Sequence, residues 1–281
     1  MRLVLSWVVL LFVVVPAIAD DDDIGRFNTA YHAYNAAAQA GDSELTITTA
    51  KAARDIGTTI FETNDPRLAA LTHNYGTALV AGGRAEEGQD VLKQSIDLLI
   101  KSSGKNDPDL ITYYASLASA FGGFGNEMLQ LKWYKRALDV AANHFGKESV
   151  EYANLAFDAA TNVFRQSTSP AGEKYLRQSL AVYEKAFGAS SHEAGMANYW
   201  LGRFQFYRRD NRDAVQYLLD ALTAFEGETE SEKAQRLLIR VLLVQSYEEL
   251  DESDNATRHC VAIGRESQFA PNQEIVPLFR L

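Results

Sequence analysis

Apolar and polar positions alternate along this chain with helical spacing, and the spacing itself recurs every 42 residues. The pairs Tyr75-Gly76, Leu117-Ala118, Ala159-Ala160, Leu201-Gly202 and Leu243-Val244 each open a run of small or apolar residues. Leu79, Phe121, Val163 and Tyr247 follow three positions after the second member of their pairs. Further along each unit comes a small, large, small triplet: Gly88-Leu92-Ser95, Gln130-Tyr134-Ala137, Gly172-Leu176-Ser179, Ala214-Leu218-Ala221 and Ala256-Cys260-Ile263. One further step back gives Thr46-Ala50-Ala53, a degenerate N-terminal copy. Spacings of three and four place these residues on one face of a helix, so each unit predicts two helices. Small residues admit a neighbouring helix, and the large one fills the groove opposite.

Two glycine ladders punctuate the same period. Gly41, Gly83 and Gly125 fall between the two helical faces of a unit, where a tight link needs positive φ. Gly104, Gly146 and Gly188 form the second ladder; Ser167, Arg209 and Asp251 replace the first in the later units. Asp65-Pro66 and Asp107-Pro108 read as N-caps followed by proline in the first turn, and Thr229-x-x-Glu232 reads as a capping box. A single unit cannot bury its own apolar face, so the units must stack.

This pattern, together with "HFGKESVEYANLA" and "AFGASSHEAGMANYWLG", resembles the tetratricopeptide repeat in the 42-residue form found in kinesin light chains. The resemblance covers roughly residues 26–265; Gln205 departs from it at a position usually aromatic. It implies an all-α, right-handed TPR-like α-solenoid of about six helix-turn-helix units, with residues 20–265 forming five clear units and the degenerate one. It also implies that positions 2, 5, 9, 12 and 13 of each first helix line a concave face. In the third and fourth full units these are Asn154, Phe157, Thr161, Phe164, Arg165, Met196, Tyr199, Arg203, Phe206 and Tyr207. Five aromatics and two arginines suit an extended peptide, with rings taking apolar side chains and guanidinium groups taking carboxylates or carbonyls. The alternative is that some of the rings, Phe206 in particular, are interhelical core.

The ends of the chain lie outside the repeat. Residues 1–19 have Arg2, an apolar run from Leu3 to Val15, Pro16 and an Ala17-Ile18-Ala19 cleavage signature, which predicts an export signal. An uncleaved anchor would need about 20 apolar residues, more than this segment offers. Residues 266–281 read as an extended tail. Its last stretch, "IVPLFRL", is similar to the lead-in to the C-terminal domain of TonB-type energy transducers; alternatively Ile275, Val276, Leu278 and Phe279 fold back as a cap on the last helix.

Charge and candidate chemistry narrow the function classes. The formal net charge is −10, and losing residues 1–19 makes the remainder one unit more negative. Such a chain has no electrostatic footprint for nucleic acid. Cys260 is the single cysteine, so no internal disulfide forms, and a disulfide-free exported protein suggests a bacterial periplasm. The five histidines are scattered without metal-ligand spacing, so neither metal nor cofactor is expected. Gly122-Gly123-Phe124-Gly125 lacks the Lys-Ser/Thr of a phosphate loop and falls at a repeat turn. His259 and Cys260 point about 100° apart on a helix, and the repeat puts Cys260 at a core position, which predicts a buried, inert thiol rather than a catalytic pair. Asn255-Ala256-Thr257 is formally a glycosylation sequon, placed by the repeat at a turn.

The sequence therefore predicts an exported, non-enzymatic scaffold that binds protein or peptide, with no membrane span once the signal is removed. A narrower form makes it the repeat portion of a TonB-like transport component. The alternatives are an envelope protein that self-associates into homo-oligomers through the aromatic patch and, third, a small-ligand binder.

Overall fold

The computed structural model describes residues 21–123, 125–164, 169–227 and 229–267. Residues 1–19, read above as an export signal, Ser167, Arg165 and the "IVPLFRL" stretch lie outside the described residues. Twelve α-helices, and no strand among the described residues, form six antiparallel-type pairs joined by short links. They belong to two compact units, one through His144 and one from Phe145.

The first unit holds α1 (Asp21–Ala40), α2 (Ser43–Ile60), α3 (Pro66–Ala81), α4 (Ala85–Ser103), α5 (Leu110–Gly122) and α6 (Glu127–Phe145). The degenerate N-terminal copy is a complete helix pair. Its Phe27, Tyr31, Tyr34, Ile47, Ala50 and Ala53 join Leu71, Tyr75 and Leu79 of α3 in one core cluster. The Phe27 ring meets Phe61 edge-on at 5.4 Å between centroids. Aromatic bulk on α1 thus offsets the weak repeat signature of this pair.

The second unit holds α7 (Val150–Phe164), α8 (Pro170–Phe187), α9 (His192–Tyr207), α10 (Asn211–Thr223), α11 (Glu230–Glu249) and α12 (Ser253–Ser267). Tyr199, Leu218, Phe225, Leu237, Leu243 and Tyr247 lead its largest core cluster. The small positions lie close against neighbouring helices. Ser179 Oγ, fully buried on α8, donates to the Ala153 carbonyl of α7 at 2.9 Å.

Helix starts follow local chemistry. Asp65 caps α3 by accepting from the Arg67 amide, with Pro66 in the first turn, and Thr229 and Glu232 form the reciprocal capping box of α11. Asp107 does not cap α5. The helix begins at Leu110 behind Asp109, and the Asp107 carboxylate instead accepts from the Asp109 amide at 2.8 Å, closing a turn ahead of the helix.

Gly41, Gly83 and Gly125 adopt φ of 72°, 82° and 70°, and Arg209 and Asp251 occupy the same turn position at 65° and 59°. The left-handed conformation is therefore a property of the repeat, kept even where a Cβ strains it. Arg209→Gly is expected to stabilise the second unit by about 0.5–1 kcal/mol, more than Asp251→Gly, because aspartate tolerates this region better than arginine. The Arg209–Glu249 ion pair that is lost is exposed and weighs little. Urea denaturation checks this; a less stable Arg209→Gly would mean the pair outweighs the backbone strain.

The C-terminal helix differs from expectation in three respects. Cys260 is exposed, not buried. In the preceding unit the equivalent Leu218 is covered by packing with α11 residues such as Leu237 and Ile239, but among the described residues no helix follows α12 to cover Cys260. The 255–257 sequon lies inside α12 and not at a turn. Helix α12 also continues past Arg265, and Glu266 bridges Arg236 and Arg240 of α11 at 3.3 Å each. His259 stacks on Tyr247 and meets Arg240 Nη1 at 3.2 Å, so burial and that cation push its imidazole below the usual range.

Candidate functional site: the α7–α9 face

Helix α7 turns its small residues inward: Ala153, Ala156, Ala159 and Ala160 are buried. Its other face therefore presents Asn154, Phe157, Thr161 and Phe164, spaced three or four apart. Helix α9 repeats the arrangement. Ser191 caps it by accepting from the Ala194 amide, and Gly202 seats against Leu218 of α10, where an added Cβ would come within 2.6 Å of Leu218 Cγ. That close seating rotates Met196, Trp200, Arg203 and Tyr207 onto one stripe.

The two helices meet in an aromatic cluster around Phe164. Its ring lies 5.5 Å from Trp200 and 5.7 Å from Tyr207, both edge-to-face, and 6.0 Å from Phe204. Phe206 meets Tyr207 at 5.6 Å. The Arg203 guanidinium sits over this platform, 4.7 Å from the Trp200 centroid, 5.4 Å from Phe164 and 5.5 Å from Tyr199. Cation–π attraction orients the fork without neutralising it. Among the described residues Arg203 makes no ion pair, whereas Arg177 and Arg208 both converge on Glu173 and Arg209 meets Glu249.

The predicted set therefore divides. Phe164, Arg203, Phe206 and Tyr207 come together at the C-terminal ends of α7 and α9, with Tyr207 about half exposed. Asn154 and Phe157 form a second group around Tyr183 of α8, which donates to Asn154 Oδ1 at 2.9 Å while Phe157 meets its ring at 6.3 Å. Thr161 lies between them and donates to the Asp158 carbonyl. Tyr199 belongs with the core, buried within the α10–α11 cluster, while Met196, like Trp200, is partly buried and packs against it. Burial pushes the Tyr199 phenol up, so it stays neutral beneath Arg203. Phe206 is half-buried rather than interhelical core.

Three residues of this face were not in the predicted set. Trp200 supplies the ring nearest Arg203; its spacing of four after Met196 and three before Arg203 places it on their stripe. Tyr183 comes from a second helix, outside any rule about first helices. Asp158 reaches solvent on α7 but is crowded by the surrounding protein, which pushes its carboxyl above the usual range. Among the described residues it has no ion-pair partner, and no group of three potential metal ligands occurs.

No protein-family model matches the chain. Among curated proteins, the clustered mitochondria protein homolog of Emericella nidulans is 25% identical over 121 residues, covering 43% of this chain. The match spans 10% of that relative's length. Among solved structures, BtubC (BKLC) from P. vanneervenii superposes with a TM-score of 0.63 at 15% identity, covering 91% of this chain and 94% of its own. A Podosopora anserina putative kinesin light chain with nearly identical TPR-like repeats gives 0.62 at 15% identity, covering 74% of this chain and 99% of its own. At these identities the likeness extends to architecture and not to ligands: the chain has an all-α fold of TPR-like helical repeats.

Proposed function

We propose that this protein is an exported, non-enzymatic scaffold that holds an extended segment of a partner polypeptide along the α7–α9 face. The observation that carries the proposal is Arg203, a half-buried cation on three aromatic rings with no carboxylate of its own among the described residues. The guanidinium meets the neutral Tyr199 phenol but, among the described residues, no carboxylate, and its remaining donors can take a ligand anion or carbonyl. Exposed Tyr207 and half-buried Phe157, Phe164 and Phe206 offer apolar area beside it. Tetratricopeptide-like architecture favours such use, since stacked helix pairs present long, regular faces to partners.

The test is binding of randomised octapeptides to the full chain and to Arg203→Glu and Tyr207→Ala. Both variants are expected to keep the wild-type circular dichroism, because neither side chain fills the core. Arg203→Glu should weaken selected peptides by about tenfold or more, the scale of a lost charge-assisted bond. Equal binding by wild type and Arg203→Glu would sink the proposal.

Export to the periplasm rests on residues 1–19, and an N-terminus at Asp20 in protein recovered from that compartment would bear it out. A role as the binding portion of a TonB-like envelope component is a narrower form, supported by the Ile275–Leu281 sequence. A deletion of those residues that leaves partner capture and transport intact would remove it.

A further inference from the structure

The α7–α9 face carries a second unpaired charge of opposite sign. Asp158 lies on α7 between Asn154 and Thr161, open to solvent, and makes no ion pair among the described residues. The ring on which Arg203 rests, Phe164, is six residues further along the same helix. Six residues of α-helix span about 9 Å. No ion pair joins the two side chains among the described residues, so each remains available. Elsewhere in this unit opposite charges do find one another: Glu173 of α8 pairs with Arg177 one turn on and with Arg208 at the end of α9. The phenol of Tyr183 is tied to Asn154, and its own burial, with Asp158 and Glu193 nearby, pushes it up and away from ionisation. The end of the face around Asp158 is therefore anionic and the end around Arg203 cationic.

We infer that this face is polar along its length and selects an extended polypeptide segment bearing a carboxylate and an ammonium or guanidinium group about three residues apart, the carboxylate on Arg203 and the cation on Asp158. This rests on the α7–α9 binding reading above. An extended chain advances about 3.3 Å per residue, so about three residues cover the 9 Å of α7 between Asp158 and the Phe164 position on which Arg203 rests. A segment with acidic residues alone would leave Asp158 unpaired and meet the repulsion of a strongly acidic protein. A segment with basic residues alone would bring a like charge toward Arg203. Only the mixed segment completes both groups.

The experiment uses the full chain and four octapeptide pools, apolar and aromatic at the free positions, carrying Glu and Lys three residues apart in both orders, Glu alone, Lys alone or neither. The mixed pool should bind most tightly. Asp158→Asn should weaken the mixed pool about fivefold and leave the Glu-only pool unchanged, the scale expected of a partly exposed ion pair. Arg203→Gln should do the converse, weakening the Glu-only and mixed pools alike. Asp158→Asn removes no internal ion pair, so its thermal midpoint should match or exceed that of wild type, which separates a binding role from a structural one. If Asp158→Asn binds every pool as wild type does while Arg203→Gln is defective, the polarity is wrong and the binding face stands. If no pool binds wild type above the Arg203→Glu background, both readings fall. A mixed pool that promotes dissociation of a self-associated form would assign the face to a second copy of the chain, overturning the choice of a partner segment.

Discussion

Replacing Gly88 with alanine is expected to destabilise the first unit by about 3 kcal/mol, an overpacking cost at the upper end of the usual range. The added Cβ would stand 2.9 Å from the Gly76 carbonyl oxygen and 3.1 Å from the Val80 amide nitrogen, both backbone atoms of α3, and 2.6 Å from Val80 Cγ2. Side chains can rotate away from such a methyl, but the backbone of a packed helix cannot. Gly76 faces back at α4 with the same intolerance: its added Cβ would lie 2.9 Å from Leu92 Cγ and 3.1 Å from the Leu92 nitrogen. Helices α3 and α4 therefore touch backbone to backbone, and one methyl must push them apart along their length.

The equivalent glycine two repeats later gives the opposite sign. An added Cβ at Gly172 would lie 3.7 Å from the Ala160 carbonyl oxygen, ordinary contact distance. Gly172→Ala should thus stabilise α8 by about 0.5 kcal/mol through helix propensity alone. Alanine already stands at this repeat position in α10, as the buried Ala214. Urea denaturation of both variants decides the matter; two changes of the same sign would show that repeat position and not local clearance governs the response.

The second large effect is acid sensitivity of the first unit. His73 is buried on α3, stacked on Tyr113 at 4.3 Å, with Nε2 3.0 Å from Ser116 Oγ. Burial pushes its pKa down from the usual 6.5 to about 4. Between those values the unfolded chain holds a proton that the folded chain refuses. The stabilisation is complete above about pH 6.5 and is lost as pH falls toward 4, amounting to about 3 kcal/mol. His73→Phe keeps the stacking surface, as Phe157 does at the corresponding place two repeats later, and removes the titration. The difference in unfolding free energy between wild type and variant should shift in favour of the variant from pH 7.5 to pH 4.5. Parallel pH profiles would show that His73 accepts a proton in place.

The helix pairs were legible because the repeat repeats its backbone demands as well as its side chains. A turn needing positive φ announced itself as glycine at 41, 83 and 125, whereas Arg209 and Asp251 read as departures from it and only the structure shows that they keep the same left-handed turn. The small, large, small triplets were legible for the same reason, since Leu92, Tyr134, Leu176 and Leu218 are all buried. Cys260 was misread by the same logic. Periodicity gives the direction in which a helical position points, but burial there is supplied by the helix that comes next.

The candidate site divides along a similar line. Its aromatic and arginine content was visible in α7 and α9, and four of the predicted residues do share one cluster. That Tyr199 lies beneath the platform while Trp200 beside it supports Arg203 depends on how α9 seats against α10 and α11.

From sequence alone, then, came the helix pairs, their turns and the apolar direction of each helix, because these are set by dihedral preferences and residue spacing within one segment. Tertiary structure decided depth and partnership: which glycine has room for a methyl, which histidine loses its proton, and that Arg203 and Asp158 have no ion-pair partner among the described residues. Those properties depend on atoms contributed by other helices, and no local pattern along the chain encodes their distances.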